Sequence, residues 1–159
     1  MAEIYISIGS NVDRERHFKN GLAALIDHFP NYKHSNVYES EPVGFNGRNF
    51  YNSVFAANTK MGVEQVCKLL KKIERDNGRT PGDKKFSPRT LDLDLLLYDD
   101  LICEQPAQLP RDEISKNAFV LLPLSEVGGH VTLPTTGESI SSLWENYHNP
   151  NQKLWKVEL

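Results

Sequence analysis

The chain has 159 residues, the span of one domain running 1–159, and 18 basic against 21 acidic side chains leave a formal net charge of -3. At 39% hydrophobic and 25% charged it can build one core and lies outside the disordered range. No run approaches the ~18 apolar residues of a membrane span, the acidic start lacks a signal-peptide pattern, and a pI near 5.9 argues against nucleic acid as a partner, so the expectation is a cytoplasmic monomer.

Ile4, Ile6 and Ile8 alternate with Tyr5 and Ser7 before Gly9-Ser10-Asn11, which predicts a strand ending in a tight turn. That turn can be read as a phosphate loop, or as a plain strand-to-helix turn capped by Ser10. Phe18, Leu22, Leu25, Ile26 and Phe29 then fall on one face of a helix that starts near Asp13 and stops at Pro30. Strands are predicted over 33–39 and 50–58, separated by a loop holding Pro42, Gly44, Asn46 and Gly47. Val63, Val66, Cys67, Leu70 and Ile73 define a second helix that runs into the C-cap pair Asn77-Gly78, with Glu74 as its last inward-facing position. After a polar loop over 79–88 a fourth strand covers 90–98. The order βαββαβ is the ferredoxin-like pattern of an α+β fold. The remainder reads as a C-terminal α/β extension: short apolar pieces over 119–124, a strand near 131–133, and a helix with Ile140, Leu143, Trp144 and Tyr147 on one face.

Cys67 and Cys103 have no neighbour at metal-ligand spacing, and the five histidines form no ligand cluster, so zinc is not expected. Chemistry concentrates in Pro88-Arg89-Thr90-Leu91-Asp92-Leu93-Asp94. Strand alternation puts Leu91 and Leu93 on one face and both Asp92 and Asp94 on the other. Two carboxylates at ~7 Å repel by ~2 kcal/mol at an effective dielectric near 20, so a partly buried pair would need a cation. Hard oxygen ligands favour magnesium; a solvated strand face fits the same pattern. Residues 71–89 carry seven bases and three acids, a local balance of +4 that suits a triphosphate. Lys71, Lys72 and Arg75 fit equally well as decoration of an exposed helix face. No Walker, dinucleotide or protein-kinase signature is present, so a nucleotide would be held by metal and arginines rather than by a glycine cradle.

The strings Gly78-Arg79, Pro88-Arg89-Thr90-Leu91-Asp92-Leu93-Asp94, Gly9-Ser10-Asn11, Glu41-Pro42-Val43-Gly44 and Phe50-Tyr51-Asn52, in this spacing, resemble the 6-hydroxymethyl-7,8-dihydropterin pyrophosphokinase family over nearly the whole chain. The resemblance implies transfer of pyrophosphate from ATP to the pterin hydroxymethyl oxygen, giving AMP, in folate biosynthesis. It implies two Mg²⁺ on Asp92 and Asp94, and phosphate contacts from Arg79 and Arg89, with Glu74, Lys85 and Arg111 also near the nucleotide. For the pterin it implies Asn52 on the amide edge, Phe119 as a stacking face, and backbone contacts from Val43 and Gly44. By residue type alone Phe119 also fits a core position, and Asn52 a buried backbone partner. The chain departs from the family pattern at Arg111, where a histidine is usual, at Asn117, where an arginine is usual, and at Phe86 and Gly47. These changes keep open a diverged pterin- or nucleotide-binding paralogue. A non-catalytic ferredoxin-like module that binds RNA or protein is a third reading, weakened by the absence of an RNP-type aromatic string.

Overall fold

The computed structural model describes residues 1–42, 47–78 and 90–159. The isoleucine alternation forms β1 (Ala2–Ser10), an interior strand of an antiparallel sheet. On one side β1 pairs with β4 (Phe50–Thr59), and on the other with β5 (Asp92–Tyr98). Beyond β4 lie β3 (Val37–Ser40) and β6 (Leu154–Val157), so the sheet runs β5-β1-β4-β3-β6, with β2 (Tyr32–His34) also paired to β4.

One sheet face is sealed by helices α1 (Arg14–His28) and α2 (Val63–Asp76). Phe18 and Leu25 of α1 and Val66, Leu70 and Ile73 of α2 are buried against Ile4, Ile6, Ile8, Phe55, Leu91, Leu93 and Leu95. The predicted C-cap is present: α2 ends at Asn77, and Gly78 takes φ 87°, a left-handed conformation that glycine adopts without a Cβ penalty. The opposite face carries α4 (Ala118–Gly128) and α5 (Ile140–Asn146), preceded by the single turn α3 (Glu113–Lys116). There Val120, Leu121, Leu124 and Ile140 pack with Tyr5, Val54, Leu96 and Leu97.

Four expectations change. The single strand over 33–39 is two, broken where Ser35 Oγ takes the Val54 N–H and contacts Ser53 Oγ. Ser10 caps no helix: it ends β1, and its hydroxyl donates to the Thr90 carbonyl, while Asp13 stands at the α1 N-cap without a side-chain hydrogen bond. The apolar pieces over 119–124 belong to the continuous helix α4, which keeps Pro123 in its interior. In place of a strand at 131–133 there is a turn with one bridge, Thr132 to Ser139, and β6 is an additional strand.

Candidate active site

Strand β5 assigns its side chains by parity. Leu91, Leu93 and Leu95 enter the α1/α2 core, and Asp92 and Asp94 face the α4 side. A register shift opposite Tyr5 and Ile6 then changes the phase, so that Leu96 and Leu97 both enter the α4 core. The polar positions therefore lie at one end of a face whose other end is apolar.

Register lines these positions up. Gly9 of β1 is opposite Asp92 on one side and Asn52 on the other, and Asn52 is opposite Tyr38 of β3. Asp92 and Asn52 are thus two strands apart, about 9–10 Å at the usual spacing, with a residue lacking a side chain between them. A Cβ at Gly9 would stand 3.7 Å from Asn52 Oδ1 and 3.8 Å from Phe50 Cδ1, so the glycine keeps the floor low between the carboxylate and the amide, with the Phe50 ring beside it.

Arg111 Nη2 is 3.2 Å from Asp94 Oδ1 and its Nε is 3.6 Å from Glu113 Oε1, in side chains 24%, 21% and 12% exposed. Burial, then the neighbouring Asp92 charge, pushes the Asp94 carboxyl well above the usual carboxylate range, and Arg111 offsets only part of this. Arg111 Nε is buried with no hydrogen-bond partner among the described residues. Arg111 stands against Asp94 and Glu113, and the oxygen donors of Asp92 and Asp94, side by side on the strand, fit a hard divalent cation. Among the described residues no group of three or more His, Cys, Asp or Glu side chains is gathered for a metal. Asp92 and Asp94 would supply two ligands, leaving the rest to phosphate oxygens and water, as Mg²⁺ is usually held.

Glu74 reaches this strand from the last turn of α2, where Glu74 Oε2 accepts the Leu93 N–H at 2.8 Å. This satisfies an edge-strand amide between the two aspartates and fixes the strand that carries them. Lys71, Lys72 and Arg75 are exposed, and Lys72 pairs with Asp76 at 3.0 Å, as a solvated helix face would have it. Lys116 pairs with Asp112 at 3.0 Å and is exposed.

At the amide end Asn52 is buried, and its Nδ2 donates to Ser40 Oγ at 2.7 Å. Ser40 lines a cavity of about 330 Å³ with Glu41, Pro42, Phe119, Asn149 and residues 151–154. Phe119 is therefore a cavity wall that also packs on the α4 core, and Asn52 reaches the same cavity through Ser40. Arg111 lies on Asp94, a contact that the charge excess of the aspartate pair foreshadows and that sequence spacing does not show. Ser40 and residues 149–154 were not singled out in the sequence. The candidates Val43, Gly44, Arg79, Lys85 and Arg89, with Phe86, lie outside the described residues.

The family model for 7,8-dihydro-6-hydroxymethylpterin-pyrophosphokinase matches residues 5–129. The chain belongs to this family. It is 35% identical over 137 residues to the 2-amino-4-hydroxy-6-hydroxymethyldihydropteridine pyrophosphokinase of Aquifex aeolicus, covering 84% of this chain and 85% of that protein. To the Bacillus subtilis protein of the same name it is 34% identical over 128 residues, covering 77% and 76%. It is also 33% identical over 148 residues to the folate synthesis bifunctional protein of Arabidopsis thaliana, and there it covers 91% of this chain but spans only 30% of the relative. A crystal structure of Plasmodium falciparum HPPK-DHPS shares the fold, with a TM-score of 0.71 at 12% identity, over 92% of this chain and 44% of that one. The Asp92/Asp94 corner and the Phe119 cavity both involve residues within the family-matched segment, whereas the wall at 149–154 lies beyond it.

Proposed function

We propose that the chain carries out its family's reaction: transfer of pyrophosphate from ATP to the hydroxymethyl oxygen of 6-hydroxymethyl-7,8-dihydropterin, releasing AMP, with two Mg²⁺ held by Asp92 and Asp94. The observation that supports this reading is the row Asp92, Gly9, Asn52, in which a carboxylate and a buried amide share one sheet face with a glycine between them. Bound there, Mg²⁺ would neutralise phosphate charge and hold the transferred group in line with the attacking oxygen.

The chain's own residues do the positioning. Arg111 holds the Asp94 carboxylate from one side and is itself held by Glu113, while Glu74 fixes the backbone between the aspartates. Phe119 offers a ring face to a flat heterocycle, and Asn52, its Nδ2 engaged with Ser40, places a polar amide at the floor of the site. By family likeness Arg79, Arg89 and Lys85 bind the phosphates, and Val43 and Gly44 contact the pterin through their backbone. Such preorganisation converts an encounter of two substrates into an effectively unimolecular step.

The strand order β5-β1-β4-β3, with α1 and α2 between its strands in sequence, supports a ferredoxin-like core, to which α4, α5 and β6 add an α/β extension within a single domain over 1–159. Two free cysteines suit the reducing cytoplasm, and no helix among the described residues is long and apolar enough to cross a membrane.

The test is nucleotide release from ATP and Mg²⁺ with and without 6-hydroxymethyl-7,8-dihydropterin, with Asp92→Asn as control. Pterin-dependent AMP, absent in the control, is the expected result. The departures Arg111 and Asn117 favour the diverged-paralogue reading, which predicts that both ligands bind but no AMP forms.

A further inference from the structure

Helix α4 begins beside the cavity, and its first turn carries Phe119. The first N–H groups of a helix need partners from outside it. The residue at its N-cap, Asn117, makes no side-chain cap hydrogen bond. The partner comes from 34 residues away: Gln152 Oε1 accepts the Ala118 N–H at 2.7 Å. The same amide donates from Nε2 to the Lys116 carbonyl at 3.1 Å, with Asn117 Oδ1 at 3.4 Å. Tyr147 adds a second tie, its hydroxyl donating to the Lys116 carbonyl at 2.7 Å. Gln152 is in turn placed by its own backbone N–H on the Asn149 carbonyl at 3.1 Å, and by β6, whose Leu154 is opposite Ser40.

One side chain thus spans residues 116–118, immediately before Phe119, and belongs to a segment that forms the opposite wall of the cavity. Gln152 lies beyond the family-matched residues 5–129. Resting on the pterin reading of this cavity, we infer that Gln152 is a positioning residue: it caps α4 from the C-terminal segment and so fixes Phe119 against the pterin, making residues 149–154 a determinant of pterin affinity. The energetic basis is a helix cap, whose loss costs about 1 kcal/mol, and the rotational freedom it would return to the ring and to the residues before it.

The test measures pterin binding by calorimetry at saturating Mg²⁺ and non-hydrolysable ATP analogue, for the wild type, Gln152→Leu, Gln152→Glu, Tyr147→Phe and Phe119→Ala. Gln152→Leu is expected to raise the pterin Kd about five- to tenfold and the pterin KM in parallel, with kcat and the affinity for the ATP analogue unchanged. Gln152→Glu retains an acceptor for the Ala118 N–H, where a negative charge suits a helix N-terminus, but sets a carboxylate oxygen against the Lys116 carbonyl in place of the Nε2 donor, and is expected to fall between wild type and Gln152→Leu. Tyr147→Phe, which keeps the cap, is expected to weaken pterin about twofold and supplies the answer should Gln152→Leu fail to fold. Wild-type pterin affinity in Gln152→Leu alongside a loss in Phe119→Ala overturns the positioning role. Equal losses of pterin and nucleotide affinity overturn it too, since they mark a general structural defect. Unchanged pterin affinity in both Gln152→Leu and Phe119→Ala overturns instead the pterin reading of the cavity.

Discussion

The two faces of β5 divide the labour of the molecule. Leu91, Leu93 and Leu95 are at most 4% exposed and close the core under α1 and α2, whereas Asp92 and Asp94, one residue out of phase, face the α4 side beside Arg111 and Glu113. The apolar face is stabilised by burial, while the polar face sets two carboxylates side by side, with Arg111 against Asp94. Stability and chemistry can therefore be perturbed separately on one strand, and the contrast between the faces can be broken experimentally.

The largest effect is expected from Asp94→Asn, which removes a proposed carboxylate ligand while leaving the strand intact. Turnover should fall by about a thousandfold, the scale for losing one preorganised electrostatic partner, while the thermal midpoint is retained or raised. An unaltered rate in steady-state AMP assays would break the contrast. Next, Gly9→Val puts branched methyls onto the floor between Asp92 and Asn52. A strand position accepts valine, so thermal unfolding should change little, but kcat/KM should drop by about a hundredfold through displacement of the reacting groups. Leu93→Ala tests the other face: denaturant unfolding should show a loss of about 2–5 kcal/mol, with kcat per folded molecule unchanged.

The smallest effect is a pH dependence. Because the folded-state pKa of Asp94 is raised, the fold holds a proton there that the unfolded chain has already released. The associated stability is whole below about pH 4 and is lost as pH rises through the elevated folded pKa. Asp94→Asn lacks this group, so in metal-free buffer its thermal midpoint should gain on wild type over that window, and added Mg²⁺ should narrow the gap by binding the native wild type. A gap that shrinks with rising pH, or that ignores Mg²⁺, would contradict the sign.

Where local periodicity and packing agree, the sequence announces the structure. The 3.6-residue rhythm of Val63, Val66, Leu70 and Ile73 predicts α2, and the two-residue rhythm of Leu91 to Leu95 predicts which face of β5 carries the aspartates. Helix α4 escapes because it is buried nearly all round, which erases the amphipathic period, and because Pro123 reads as a break although it sits in its interior. Strand β6 escapes because its pairing to β3 is remote in sequence and its residues alternate poorly. Of the candidate site, Asp92, Asp94 and Glu74 stand out by pattern, whereas Asn52 and Phe119 enter through the family resemblance alone. Their partners are not legible in the chain, since the Arg111 contact with Asp94, the Ser40 contact with Asn52 and the Gln152 cap depend on distances that only the folded sheet sets.

The proposed reaction requires the carboxylate corner and the proposed pterin cavity to act across Gly9 on one reactant pair. Paramagnetic relaxation tests it most directly: Mn²⁺, which takes the same oxygen ligands as Mg²⁺, is bound with a non-hydrolysable ATP analogue, and the hydroxymethyl protons of bound 6-hydroxymethyl-7,8-dihydropterin are observed. Strong broadening, corresponding to a separation on the order of 10 Å or less across two strand spacings and abolished by Asp92→Asn, is the predicted result. Pterin that binds with no broadening, or broadening that persists in Asp92→Asn, would contradict it.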